Sequence, residues 1–317
     1  MADSRSRSPA LRDPRTLARL LSQVEAGSTH VSSALKDLLP GNARVIGLTG
    51  PPGVGKSTVT GALTGSFRAA GQRVAVLAVD PSSPFTGGAL LGDRIRMQQH
   101  ATDDGVFIRS MASRGHLGGM AAATPQAVRV LDAAGFDVIL IETVGVGQAE
   151  VAIAAQADTV VVLLAPGMGD AVQAAKAGIL ETGDLFVVNK ADKPEVQQVI
   201  RDLRGMLALG SWERGWKPPI LTTVGTDGTG LAEVVAALDA HWDWLNASGE
   251  REARRLRRAR AEILAVAEAM MRSRLAAAEV DGLAARVAQG SLDPLDAARE
   301  LLGADFRTDS APETEPR

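Results

Sequence analysis

The chain of 317 residues contains no cysteine. That single absence excludes disulfides, thiolate metal sites and thiol nucleophiles together. Histidine is nearly as scarce, with four residues scattered at positions 30, 100, 116 and 241 and no close pair among them. An excess of either charge is also missing: 34 Lys and Arg stand against 37 Asp and Glu, a net charge of −3. Without a global field, DNA or an anionic bilayer would have to be met by a local basic patch, and neither partner is expected. No hydrophobic run approaches the roughly 20 residues of a membrane span. The longest, TVVVLLAP from Thr159 to Pro166, falls far short. The N-terminal MADSRSRSPALRDPR is rich in Arg and Ser, as transit peptides are, but Asp3 and Asp13 interrupt it and no apolar face accompanies the charges. It reads as a frayed tail, and the chain as cytoplasmic.

What the chain does contain is enough apolar residue, 45% of the sequence, to bury a sizeable core, and more length than one α/β domain needs. Residues 12 to 39 carry apolar side chains at helical spacing (Leu17, Leu20, Leu21 and Val24, then Val31, Leu35 and Leu38), broken at Gly27 and ended by Pro40 and Gly41. From Arg44 the pattern changes to short apolar strands parted by helix-length segments: RVIGLTG, RVAVLAVD, GVFIRS, FDVILIE, DTVVVLLAP, DLFVVNK and PPILTT. Strands recurring in this way predict an α/β fold with a mostly parallel central sheet flanked by helices. After Asn246 a long amphipathic helix is expected, with apolar residues at 256, 263, 266 and 270 among charges, and another from Asp293 to Leu302. The expected organisation is an N-terminal helical extension over 1–40, a nucleotide-binding domain over 41–247, a C-terminal helical arm over 248–307 and a disordered polar tail over 308–317.

Ligands of such a sheet bind at the carboxyl ends of its strands, where Asp80, Glu142, Asn189 and Lys190 each close an apolar run. The segment GPPGVGKS, Gly50 to Ser57, matches the phosphate-loop pattern GxxxxGK[ST] and stands between a strand and a helical segment. Its backbone (Gly50, Pro51, Pro52, Gly53, Val54, Gly55), with Thr58 just beyond, is expected to cradle phosphates. Lys56 would reach the β and γ phosphates and Ser57 would coordinate Mg²⁺. The fold is therefore expected to be that of a P-loop NTPase. Further on, Asn189-Lys190-Ala191-Asp192 matches NKxD. A carboxylate at Asp192 can accept from both N1–H and N2–H of guanine, whereas adenine presents an acceptor at N1, so GTP and GDP are the expected nucleotides. A helix cap by Asp192 is the alternative. The segment TTVGTDGTG from Thr222 lies where GTPases place a loop against the base, with Thr223 and Val224 its candidate contacts, although it departs from the usual Ser-Ala-Lys/Leu form. In ILIETVGVGQAE, Glu142 ends an apolar strand and Gly145 and Gly147 follow. An acid there serves Mg²⁺, and Gly145 is the candidate γ-phosphate sensor of a switch.

Four long stretches, AVDPSSPFTGGALLGDRIRMQ (78–98), RSMASRGHLGG (109–119), ETVGVGQAE (142–150) and PGMGDAVQAAKAGILE (166–181), resemble the P-loop GTPases of the MeaB/ArgK type. The resemblance covers residues 40 to 245 most closely. It implies a GTPase that docks on an adenosylcobalamin-dependent acyl-CoA mutase of the methylmalonyl-CoA type, gates cofactor loading and helps remove damaged cobalamin. It also implies that Asp80, Asp93 and Glu142 form the acidic Mg²⁺ cluster with Ser57, and that Asp170, Gln173 and Lys176 belong to a further switch answering to the partner. The family's GQSE reads GQAE here, with Ala149 in place of serine. Helix capping is the other role open to Asp93, and an internal arginine finger or plain solvent contact the roles open to Arg94 and Arg96.

Rival functions come from other classes. A metallochaperone GTPase ordinarily needs Cys/His clusters, which this chain lacks. A GTP- or ATP-dependent kinase, the role once attached to ArgK relatives, needs an acceptor base that the sequence does not reveal. The basic run REARRLRRAR, residues 251–260, is a third candidate, as a nucleic-acid patch, but interspersed glutamates and the apolar stripe favour a packing helix. The resemblance makes that helix part of a homodimerisation arm.

Overall fold

Strands that are apolar on both faces need cover on both faces, and the computed structural model supplies it. The structure describes residues 9–26, 38–39, 41–80, 97, 100, 102–112, 123–143, 153–167, 182–208, 215–276 and 280–302. Seven strands form one sheet: β1 (Arg44–Thr49), β2 (Val74–Asp80), β3 (Val106–Ala112), β4 (Val138–Thr143), β5 (Thr159–Leu164), β6 (Leu185–Asn189) and β7 (Ile220–Thr223). Their order is β3-β2-β4-β1-β5-β6-β7 and every pairing is parallel. Side chains alternate between two buried layers, so Ile139 and Ile141 of β4 face one core while Val138 and Leu140 face the other.

The helices that cover the sheet show the spacing their burial requires. On α1 (Pro14–Glu25), Leu17, Leu20, Leu21 and Val24 are buried in the same core as the β4 isoleucines. Asp13 caps this helix by accepting the Thr16 N–H at 2.8 Å. The helix lies against the edge strand β3, where Glu25 pairs with Arg109 at 2.7 Å. Further cover comes from α2 (Lys56–Ala69), α3 (Thr124–Ala133), α4 (Val196–Leu207) and α5 (Leu231–Ser248). The last buries Val234, Leu238, His241 and Leu245 at intervals of four and three.

The long helix α6 (Glu250–Ala276) is followed by α7 (Val280–Ala288) and α8 (Pro294–Leu302). By its internal contacts the chain divides into two compact units, residues 1–262 and 263–317. In the second, α7 and α8 pack together and Arg286 pairs with Glu300 at 3.0 Å. In the first, the opening turns of α6 are held by arginines rather than by the apolar stripe. Arg254 forks onto Asp184 at 2.6 and 2.7 Å and also donates to the Asp158 carbonyl at 2.6 Å. Arg258 pairs with the Asp158 carboxylate, and Arg255 donates to the Gly41 carbonyl at 2.9 Å. Arg251 bonds Asn42 and lies over the Trp242 ring, 4.4 Å from its centroid. The basic run thus turns four guanidiniums toward the amino ends of β1, β5 and β6. Its apolar residues face outward: Leu256, Ile263 and Met270 are 72%, 68% and 69% exposed.

Candidate nucleotide site

The carboxyl ends of all seven strands share one edge of the sheet, and of the residues singled out by sequence Asp80, Glu142, Asn189 and Lys190 stand at strand ends there. β1 ends at Thr49 and passes through Gly50 to Gly55 into α2. Two of these glycines are obligatory. Gly50 has φ 142°, and a Cβ on it would stand 2.2 Å from the Leu163 carbonyl oxygen; Gly55, left-handed at φ 96°, would press a Cβ to 2.4 Å from Asn189 Nδ2. The loop can therefore nest between β5 and β6 only without side chains at those two points. Lys56 Nζ donates to the Gly50 carbonyl at 2.7 Å and the Pro51 carbonyl at 3.0 Å, so the ammonium is coiled inside the loop it serves. Ser57 Oγ donates to Glu142 Oε1 at 2.6 Å, and both residues are buried. The acid at the tip of β4 and the hydroxyl at the start of α2 thus meet.

Asn189, at the tip of β6, has more bonds than a base contact needs. Its Nδ2 donates to the Val54 carbonyl at 2.8 Å, while its Oδ1 accepts the Thr223 hydroxyl at 3.1 Å and the Gly225 N–H at 3.0 Å. Lys190 Nζ donates to the Gly53 carbonyl at 2.7 Å. Lys190 is also the non-glycine residue with positive φ, 58°, among those described, which is uncommon and concentrates where a side chain must be aimed. The strand tip proposed to read the base is therefore laced to the loop proposed to hold the phosphates. Sequence reasoning assigned Asn189 and Thr223 to the nucleotide and missed this bracing, because Val54 and Thr223 are 135 and 34 residues distant.

Asp192 lies exposed beyond the strand, with Lys193 Nζ at 3.8 Å. The cap position of the next helix, α4, is Glu195, so capping does not explain Asp192. Asp80 is the last residue of β2, opposite Ala112 of β3. Asp93, Arg94, Arg96, Gly145, Asp170, Gln173 and Lys176 lie outside the described residues. Among those described, no group of three or more His, Cys, Asp or Glu gathers as a metal cluster, and no helix is long and apolar enough to cross a membrane.

With the phosphate loop, the strand-tip acid and the NKxD segment on one sheet edge, comparison with known proteins decides the family. Residues 17–280 match the family model described as methylmalonyl Co-A mutase-associated GTPase MeaB. The chain belongs to the MeaB family. A Pyrococcus abyssi protein named as a GTPase is 46% identical over 299 residues, 92% of each chain. The Escherichia coli GTPase ArgK is 39% identical over 244 residues, 74% of each chain. A crystal structure titled LAO/AO transport system kinase superimposes with a TM-score of 0.67 at 26% identity, covering 95% of this chain and 98% of that one. This MeaB-family protein is a GTP hydrolase on a P-loop NTPase fold, and it binds guanine nucleotides.

Proposed function

We propose that the protein is a Mg²⁺-dependent GTPase acting as chaperone of an adenosylcobalamin-dependent acyl-CoA mutase, gating cofactor loading and the removal of damaged cobalamin. The observation that carries this reading is the match of residues 17–280 to GTPases described as mutase-associated. The site's chemistry is consistent with it. A hydroxyl and a carboxylate, Ser57 and Glu142, are hard oxygen donors of the kind Mg²⁺ takes in ones and twos beside substrate phosphates. Asp80 and Asp93 would complete the acidic set. Bound there, Mg²⁺ would neutralise charge developing on the β and γ phosphates. Lys56 would exchange its bonds to the Gly50 and Pro51 carbonyls for phosphate oxygens. Gly145 would bond the γ-phosphate and release it on hydrolysis, and Asn189, Lys190 and Asp192 would hold guanine.

The reading predicts that a purified mutase of the methylmalonyl-CoA type raises the GTP turnover of this protein. Lys176→Ala should reduce that stimulation, if the segment that resemblance assigns to a partner-answering switch uses this long cation to distinguish nucleotide from partner. Turnover unaffected by the mutase in the wild type would remove the chaperone reading. A stimulation ratio equal in wild type and variant would confine the signal to Glu142 and Gly145.

The outward apolar face of α6 supports self-association as a homodimer, since Leu256, Ile263, Leu264, Met270 and Met271 are all exposed along one helix. Light scattering at micromolar concentration should report twice the chain mass. A monomer there would count against the dimer.

A further inference from the structure

The loop 224–230 leaves β7 beside Asn189 and enters α5. Three glycines in seven residues ordinarily make a mobile connection. Here the backbone closes on itself instead. The Val224 N–H donates to the Thr229 carbonyl at 3.0 Å, and the Val224 carbonyl accepts the N–H groups of Gly228 at 3.0 Å and Asp227 at 3.3 Å. The carboxylate of Asp227 completes the closure by accepting the Thr229 N–H at 2.8 Å, a bond that holds its carboxyl below the ordinary range. At the other end the loop is docked: the Gly225 N–H donates to Asn189 Oδ1 at 3.0 Å, and a Cβ on Gly225 would meet Val59, Asn189 and Thr58 at 3.2 to 3.4 Å. The ring of bonds that Asp227 closes is thus continuous with Asn189 and, through it, with the phosphate loop at Val54.

We propose that Asp227 is a positioning residue for nucleotide binding: by closing the 224–230 loop it preforms the rim of the base pocket without touching the base. This rests on the reading of Asn189 and Asp192 as the base-recognition end of the site. Removing the carboxylate frees the Thr229 N–H, lets the hairpin open, and transfers the entropy of ordering the loop to the binding step. Nothing in the sequence marks Asp227, because an Asp beside Gly in a loop is common in any turn.

The test is titration calorimetry with GDP and IDP, the latter lacking the N2 amine that would donate to Asp192. Asp227→Ala should raise both dissociation constants about three- to tenfold and leave their ratio unchanged. Asp227→Asn keeps an oxygen able to accept the Thr229 N–H and should stay within about twofold of wild type. Wild-type affinity in Asp227→Ala, or equal weakening in Asp227→Asn, overturns the proposal. The base-recognition reading fails separately, if Asp192→Asn leaves the GDP/IDP ratio at its wild-type value.

Discussion

Asp192→Asn is expected to weaken GTP roughly 30- to 1,000-fold, the equivalent of about 2–4 kcal/mol, and to admit xanthosine triphosphate in its place. The carboxylate stands exposed next to Lys193, so it is hydrated and partly balanced until a base covers it. Guanine would then cover it with two donors, N1–H and N2–H, and an amide offers one oxygen and an NH₂ where two acceptors are wanted. Xanthine reverses the pattern at C2, presenting a carbonyl that welcomes the amide NH₂. Competition binding with GTP, XTP and ATP on wild type and variant measures the effect. Equal affinity of the wild type for ATP and GTP would sink the assignment of Asp192. Because Asn189 and Lys190 brace the phosphate loop from their own positions, the variant should keep its fold and thermal midpoint.

Asp184→Asn is expected to destabilise the protein by about 3 kcal/mol at neutral pH, the lower end of the cost of breaking a buried ion pair. Asp184 lies just before β6 and accepts the Val160 N–H at 2.8 Å in addition to the Arg254 fork. His241, packed against the rings of Trp216 and Trp244, shares its Nδ1 with the Thr159 hydroxyl at 2.9 Å and brings Nε2 to 3.4 Å from Asp184 Oδ1. Burial pushes the Asp184 carboxyl up, but the neighbouring His241 and the Arg254 fork outweigh it and hold the pKa at about 2. A carboxyl depressed from 3.8 to about 2 contributes stability that is fully present above pH 4 and is lost as the pH falls toward 2. The amount is on the order of 2 kcal/mol. Urea unfolding from pH 6 to pH 2 should therefore show a wild-type decline between pH 4 and 2 that is flatter in Asp184→Asn. Parallel curves for the two proteins would show that this pair does not govern the acid response.

The sheet was legible in the sequence because a parallel strand buried on both faces is an uninterrupted apolar run, and the runs of β2, β4 and β6 close on Asp80, Glu142 and Asn189. The phosphate loop and the Ser57–Glu142 meeting were legible for a related reason: phosphate chemistry demands particular residues at fixed spacing, and spacing survives in one dimension. Two features were not legible. Asn189 was assigned to the base alone, since its bonds to Val54, Thr223 and Gly225 depend on loops meeting across the fold. The basic run of α6 was read as part of a packing helix with no partner named for its arginines, although 254 and 258 face carboxylates 70 and 100 residues upstream. Charge alternation looks the same whether the opposite sign comes from water, from the next turn or from a distant strand. The apolar stripe was correctly noticed and is left exposed, because the arginines on the other face hold the helix first.

That arginine grip bears on where the chain can be divided. A fragment ending at residue 247, the limit drawn from composition, would retain Lys56, Ser57, Glu142, Asn189 and Asp192 and yet leave Asp158 and Asp184 as buried anions without Arg254 and Arg258. The helix that begins the arm is, for its first two turns, the lid on the underside of the sheet. All four partners of this grip, Asp158, Asp184, Arg254 and Arg258, lie within the first compact unit, residues 1–262, so a fragment that keeps its buried carboxylates paired has to run past Arg258.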